Sequence, residues 1–195
     1  QEADRIGMKI LADSGFDPYA VPEFFYKLTQ QSRFVNQQLA FLQTHPLSQA
    51  RVSDTRLRAE QFEKRYVPDS QDYILSKTRV LARYQYQSTE TVEVFQQRLS
   101  QPGGNTRANL YGLALAKLDN NLFADAQKII EDLLLEEPHN LYYVDAYTDI
   151  LLGQNQFTKA LEILEQEYLI RPNNQVVTLN YANAAIKAGS YRLAI

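Results

Sequence analysis

The stretch "NNLFADAQKIIEDLLLEEPHN", residues 120–140, is followed by "QNQFTKALEILEQEYLIRPNN", residues 154–174, and then by "AGSYRLAI", residues 188–195. Phe123, Phe157 and Tyr191 stand 34 residues apart, as do Ala126, Ala160 and Ala194, and Asn121, Asn155 and Gly189. Pro138 and Pro172 keep the same interval. Each column has a physical reading. The small alanine lets two helices cross closely, and the aromatic three residues earlier fills the space beside it. Asn or Gly takes the left-handed conformation that ends a helix. Proline then stops the second helix, because it has no backbone N–H with which to continue it. The unit is helix, tight turn, helix, stop.

A repeat of this length and order resembles the tetratricopeptide repeat. Helices are expected near 107–119 and 123–136, 141–153 and 157–170, and 175–188 and 191 onward. The repeat's usual first-helix glycine and tryptophan are replaced by Ala114 and Leu110, then by Thr148 and Val144. Upstream, "SQDYILSKTRVLARYQYQSTETVEVFQQRLSQPGGN", residues 70–105, reads as one more helix pair, near 71–85 and 89–100. It lacks the alanine and proline columns and is read as a degenerate repeat. The sequence stops partway into a second helix, and the expectation is a truncated array with an open, apolar end.

Residues 1–66 do not share the period. A first helix is expected from about Glu2 to Asp13, ending at Ser14-Gly15. A second starts at Asp17-Pro18 or Val21-Pro22, since proline suits a first helical turn. "EFFYKLTQQ" and "FVNQQLAFLQ" continue as helices until "THPLSQA" breaks the pattern. Ser48 is the expected cap of a last helix carrying Val52, Thr55, Ala59, Phe62 and Tyr66 on one face. "VPDSQD" marks the boundary, giving 1–66, a linker with the degenerate repeat at 67–106, and repeats at 107–140, 141–174 and 175–195. The fold class is all-α.

Composition narrows the function. With 195 residues, 45% of them hydrophobic, a sizeable core can form, and the net charge of −3 gives no basic footprint for nucleic acid. No cysteine is present, so there is no disulfide framework and no thiolate metal site. No apolar run approaches the roughly 20 residues that span a bilayer. His45 and His139 are the only histidines. No HExxH, glycine-rich phosphate loop, nucleophile elbow or CxxC occurs.

"EADRIG" at 2–7, "GFDP" at 15–18 and "THPLSQAR" at 44–51, in that order before the repeats, resemble the tail of an HExxH metallopeptidase. The similarity is to the CAAX-prenyl-protease-like family, and within it to the BepA type. There the catalytic domain precedes tetratricopeptide repeats. The likeness covers essentially the whole chain. It implies a periplasmic zinc endopeptidase working in outer-membrane protein assembly and quality control, with a metal-bound water attacking the peptide carbonyl. The family's glutamate ligand would fall one position before Gln1, so the chain is expected to be a C-terminal part that is inactive and metal-free alone. Glu2 lies in the wrong place to substitute, because ligand and aspartate share a face only at four-residue spacing.

On the same resemblance Asp4 matches the family's aspartate, either orienting a histidine ligand or exchanging a proton. His45, before a proline, sits on a loop, and is expected to act as an inhibitory fourth zinc ligand until substrate moves it. Arg51 is expected to anchor that loop to an acidic neighbour such as Asp4. His139 receives no role. Counting along the first helix of each repeat places Tyr111, Leu115, Tyr142, Asp145, Asp149, Leu179 and Asn183 toward a concave protein-binding groove, with "LYYVDAYTD" as its centre, the alternative for each tyrosine being packing between repeats. The implied partners are outer-membrane β-barrel proteins or their assembly machine, a role that leaves room for peripheral membrane association. The rival reading is a non-enzymatic tetratricopeptide adaptor.

Overall fold

The structure, a computed structural model, describes residues 2–32 and 49–193. Among the described residues there are ten α-helices and no strand. Residues 1–69 and 70–195 form separate compact units.

In the first unit, α1 spans Glu2–Asp13, α2 Ala20–Ser32 and α3 Gln49–Ala59. Asp4, Met8 and Ala12 recur every four residues and form the buried stripe of α1. Gly15 takes φ 85°, and Phe16 N–H closes the helix end onto Leu11 O at 3.0 Å, as does Gly15 N–H onto Ala12 O at 3.1 Å. The two alternatives for the start of α2 are combined. Asp17 Oδ1 accepts from Tyr19 N–H at 3.1 Å, and Pro22 then falls in the first turn, where no N–H is needed. The face expected to run from Val52 to Tyr66 is shorter than the sequence suggests. Helix α3 ends at Ala59, where Gln61 and Phe62 N–H bond three residues back, and Tyr66 is 92% exposed. The chain turns away there, and Arg65 donates to the terminal carbonyl of Ala12 at 2.9 Å. The helix expected at 34–43 and the cap Ser48 lie outside the described residues.

The second unit is a stack of helix pairs. α4 (Gln71–Val80) runs on into a π-helical turn, Leu81–Gln85, where the sequence suggests one uninterrupted α-helix. α5 is Ser88–Ser100, α6 Arg107–Asp119, α7 Phe123–Glu136, α8 Leu141–Gly153, α9 Phe157–Ile170 and α10 Gln175–Lys187. A short 3₁₀ turn, Tyr191–Leu193, stands where a further helix is expected. Asn121, Asn155 and Gly189 take φ of 60°, 61° and 73°. After each, an N–H reaches five residues back: Leu122 to Lys117 at 2.9 Å, and Gln156 to Leu151 and Ser190 to Ala185 at 2.8 Å. Thr106, Asn140 and Asn174 cap α6, α8 and α10 through side-chain oxygens, a further column at the repeat spacing.

Ala126 and Ala160 are fully buried between helices. Two glycines make room for aromatic rings. A Cβ on Gly112 would stand 2.1 Å from Phe95 Cε1, and one on Gly153 would stand 2.4 Å from Phe123 Cε1. Phe95 has no exposed surface and cannot move aside freely. Gly112→Ala therefore sets a helix-propensity gain of about 1 kcal/mol against overpacking of about 1–3 kcal/mol. The expected outcome is a lower urea midpoint for Gly112→Ala, recovered when Phe95→Leu is added; an unchanged midpoint shows that the ring does not rest on Gly112.

Candidate functional site

Asp4 lies one turn into α1 and is 8% exposed. Arg51, in the first turn of α3, donates to both its oxygens, Nε to Oδ2 at 2.7 Å and Nη2 to Oδ1 at 2.6 Å. The guanidinium also lies 4.5 Å from the centre of the Phe25 ring on α2. One arginine thus joins three helices, with a planar fork on the carboxylate and its face on an aromatic ring. The hydrogen bonds from Arg51 outweigh the cost of burial and hold the Asp4 carboxyl below its ordinary 3.8. Asp4 is therefore an acceptor at neutral pH. Glu2 points elsewhere and pairs with Arg5 on the helix surface at 2.5 Å. His45 lies outside the described residues. Among the described residues, no three His, Asp or Glu side chains gather as a metal site.

In the second unit, α4 and the π-helical turn after it exchange side chains with α8 and the turn before it at a constant offset of 66 residues. Gln71 donates to Glu137 at 2.8 Å, Ser76 Oγ meets Tyr142 Oη at 2.5 Å, Arg79 donates to Asp145 at 2.5 Å and Arg83 to Asp149 at 3.4 Å. Asp145 also accepts from Asn180 of α10 at 2.6 Å, so its carboxylate ties the first helix pair to the last. Arg83 stands 3.6 Å from Asp119 as well. Burial pushes the Tyr111 hydroxyl up to about 12, Arg79 and Arg83 only partly opposing it. Asp149 is raised too. Although 41% of its side chain meets water, the atoms crowding its carboxylate and the charge of Asp145 outweigh the Arg83 contact. A cavity of about 470 Å³ opens beside this ladder, lined in part by Arg79, Tyr142, Asp145, His139, Arg171 and Val176.

Over 190 residues the chain is 39% identical to the beta-barrel assembly-enhancing protease of Escherichia coli (strain K12), covering 97% of this chain and 39% of that protein. The protein of the same name in Yersinia pestis is 37% identical over 190 residues, covering 96% and 39%. The chain is a homologue of these proteases. It spans about two fifths of the length of the curated relatives it matches. No family model matches it.

The concave groove is not built as the sequence suggests. Tyr111 and Leu115, expected to face a partner, have no exposed surface, because the α4–α8 ladder passes over their helix. Asp145 is 8% exposed and Tyr142 half-buried, both already engaged by α4. Of the expected groove residues, Leu179, 69% exposed, and Asn183 stand open on α10, and Asp149 keeps 41% of its side chain in water. The residues missed are those of α4 and the π-helical turn that follows it. Arg79 and Arg83 one turn apart, opposite Asp145 and Asp149 one turn apart, were the available signal. His139 also has a partner. Its Nδ1 stands 2.6 Å from a carboxylate oxygen of Glu167, which is buried where the preceding repeat has Leu133 and which Arg171 also holds.

Because the folded Asp4 carboxyl titrates below 3.8, its stabilisation is complete above that value and is lost as pH falls through the folded value. Asp4→Asn is expected to cost about 1.5–3 kcal/mol at pH 7, the range for hydrogen bonds to a charged group. The difference from the parent should shrink toward zero under strong acid. Urea unfolding at both pH values measures it, and a difference that does not change with pH rules out the ionised pair as its source.

Proposed function

We propose that the chain belongs to a bacterial-envelope protease acting in outer-membrane protein assembly, in which the first unit supports the catalytic centre and the repeats bind protein. The observation that carries this reading is sequence homology along 97% of the chain to proteases named for beta-barrel assembly. The clients would be outer-membrane β-barrel proteins or their assembly machine, and the compartment the periplasm. No helix among the described residues is long and apolar enough to cross a membrane.

Zinc is the metal that the family resemblance implies. The described residues do not gather a ligand set, so they do not fit the ion by themselves, and no step of the reaction is derived through it. Their contribution is positional. The Asp4 carboxylate, fixed by Arg51 and braced on Phe25, sets the rotation of α1 about its axis and the approach of α3 to it. His45 is retained as a proposed inhibitory ligand on the segment between α2 and α3.

The reading is tested on the longer protein. It should hold about one zinc per chain, the stoichiometry of a catalytic site, lost together with proteolysis when the HExxH histidines are replaced. His45→Ala should change zinc affinity or raise basal proteolysis. A longer protein that binds no zinc and cleaves nothing leaves the adaptor reading, which the repeat architecture favours independently.

A further inference from the structure

Three carboxylates meet two guanidinium groups in the second unit. Arg79 comes from α4, Arg83 from the π-helical turn, Asp119 from the end of α6, and Asp145 and Asp149 from α8. Asp145 is served twice, by Arg79 at 2.5 Å and by Asn180 of α10 at 2.6 Å. Arg83 is left to serve both other acids and reaches neither closely. It stands 3.4 Å from Asp149 and 3.6 Å from Asp119, beyond the roughly 2.7–2.9 Å of a charge-assisted bond. Its Nε is buried and has no hydrogen-bond partner. Among the described residues no further cation pairs with Asp119 or Asp149. The cluster is one positive charge short, and the shortage falls on the two acids that share Arg83.

We infer that Asp149 takes up a proton in acid while the chain stays folded, and that Arg83 then closes onto Asp119, opening the last rung of the ladder between the first and third helix pairs. The proton goes to Asp149 because Asp145 stands one turn before it on α8, whereas Leu115 holds that place before Asp119. Burial and then Asp145 push the Asp149 carboxyl above its ordinary 3.8, with Arg83 and Arg79 only partly opposing them. From α6, Tyr111 and Asp119 face the same two arginines, and α10 contributes Asn180, which does not titrate. A carboxyl raised in the folded chain is stabilised by its proton. That gain is complete below 3.8 and is lost as pH rises through the folded value, so the rung opens without unfolding. The rungs at Glu137, Tyr142 and Asp145 do not involve Arg83, and they keep the first pair attached. The device is a proton-set choice by one arginine between a neighbouring helix pair and a distant one. It does not rest on the proposed protease activity.

The test follows the proton and the arginine separately. Aspartate carboxyl carbons of the unaltered chain are followed by NMR from about pH 7 to about pH 3.5, the span of ordinary carboxyl titration. Asp149→Asn and Asp119→Asn identify the two signals. Asp149 should titrate above 3.8 and above Asp119, and Asp145→Asn should lower its midpoint. A midpoint at or below 3.8, below that of Asp119, or unmoved by Asp145→Asn overturns the proton site. The arginine is read at its Nε–H, identified by the signal lost in Arg83→Lys. Below the Asp149 midpoint its solvent exchange should be about tenfold slower in the unaltered chain than in Asp119→Asn at the same pH, the factor that one hydrogen bond to a charged group gives. Equal rates overturn the transfer. Asp149→Asn, which imitates the protonated rung, should show the slow exchange already at neutral pH, and exchange there as fast as in Asp119→Asn overturns the transfer as well.

Discussion

Everything in the second unit follows from a backbone constraint at Asn121, Asn155 and Gly189. A residue with φ near 60–73° reverses the chain, and it does so at a fixed point in each repeat. A side chain with a Cβ pays to enter that region, which is why two of the three are asparagine and one is glycine. Because the reversals are equally spaced, the second helix of each pair returns along the same path, and Ala126 and Ala160 meet their neighbours at the same depth. The caps Thr106, Asn140 and Asn174 then fall at one level, so the first helices start in register.

That register gives a ladder its constant offset. In most solenoids each repeat touches only its neighbours, and stability adds up pair by pair. Here polar side chains of the first pair reach the third, at 66 residues each time. The first pair has few apolar anchors of its own on α4 and the π-helical turn after it, where Leu75 and Ala82 are the buried hydrophobic residues. Polar reach therefore supplements apolar packing at this end of the array. Asp145, accepting from Arg79 on one side and Asn180 on the other, is where the two ends are tied.

The legibility of the sequence divides along the same line. Helix limits from α6 to α9 could be read to the residue, because left-handed residues, caps and prolines are local signals that depend on the chain beside them. The end of α3 at Ala59 could not, because it is set by where Arg65 goes, 53 residues from its acceptor on α1. Nor could the burial of Tyr111 and Leu115. Their position on α6 does point to the concave side, and periodicity gives that correctly, but exposure depends on whether another element reaches over them. α4 lacks the repeated columns, and only the arginines at 79 and 83, one turn apart, hinted at that reach. Glu167 shows the same limit, being a carboxylate in a column that elsewhere is leucine, tolerated because His139 and Arg171 converge on it from the turn and the same helix.

The two sets of acids show what each unit is built for. Asp4 is held below its ordinary value chiefly by the hydrogen bonds from Arg51, so its charge stabilises the folded unit. Asp119 and Asp149 lie on the other side, raised by burial and, for Asp149, by Asp145. A raised carboxyl means that the folded chain carries the ionised group at some cost relative to the unfolded one. Folding alone would be served as well by asparagine at these positions, which could still accept from Arg83 without the repulsion. In the first unit one arginine fixes a carboxylate through two short hydrogen bonds, whereas in the second Arg83 is divided between Asp119 at 3.6 Å and Asp149 at 3.4 Å.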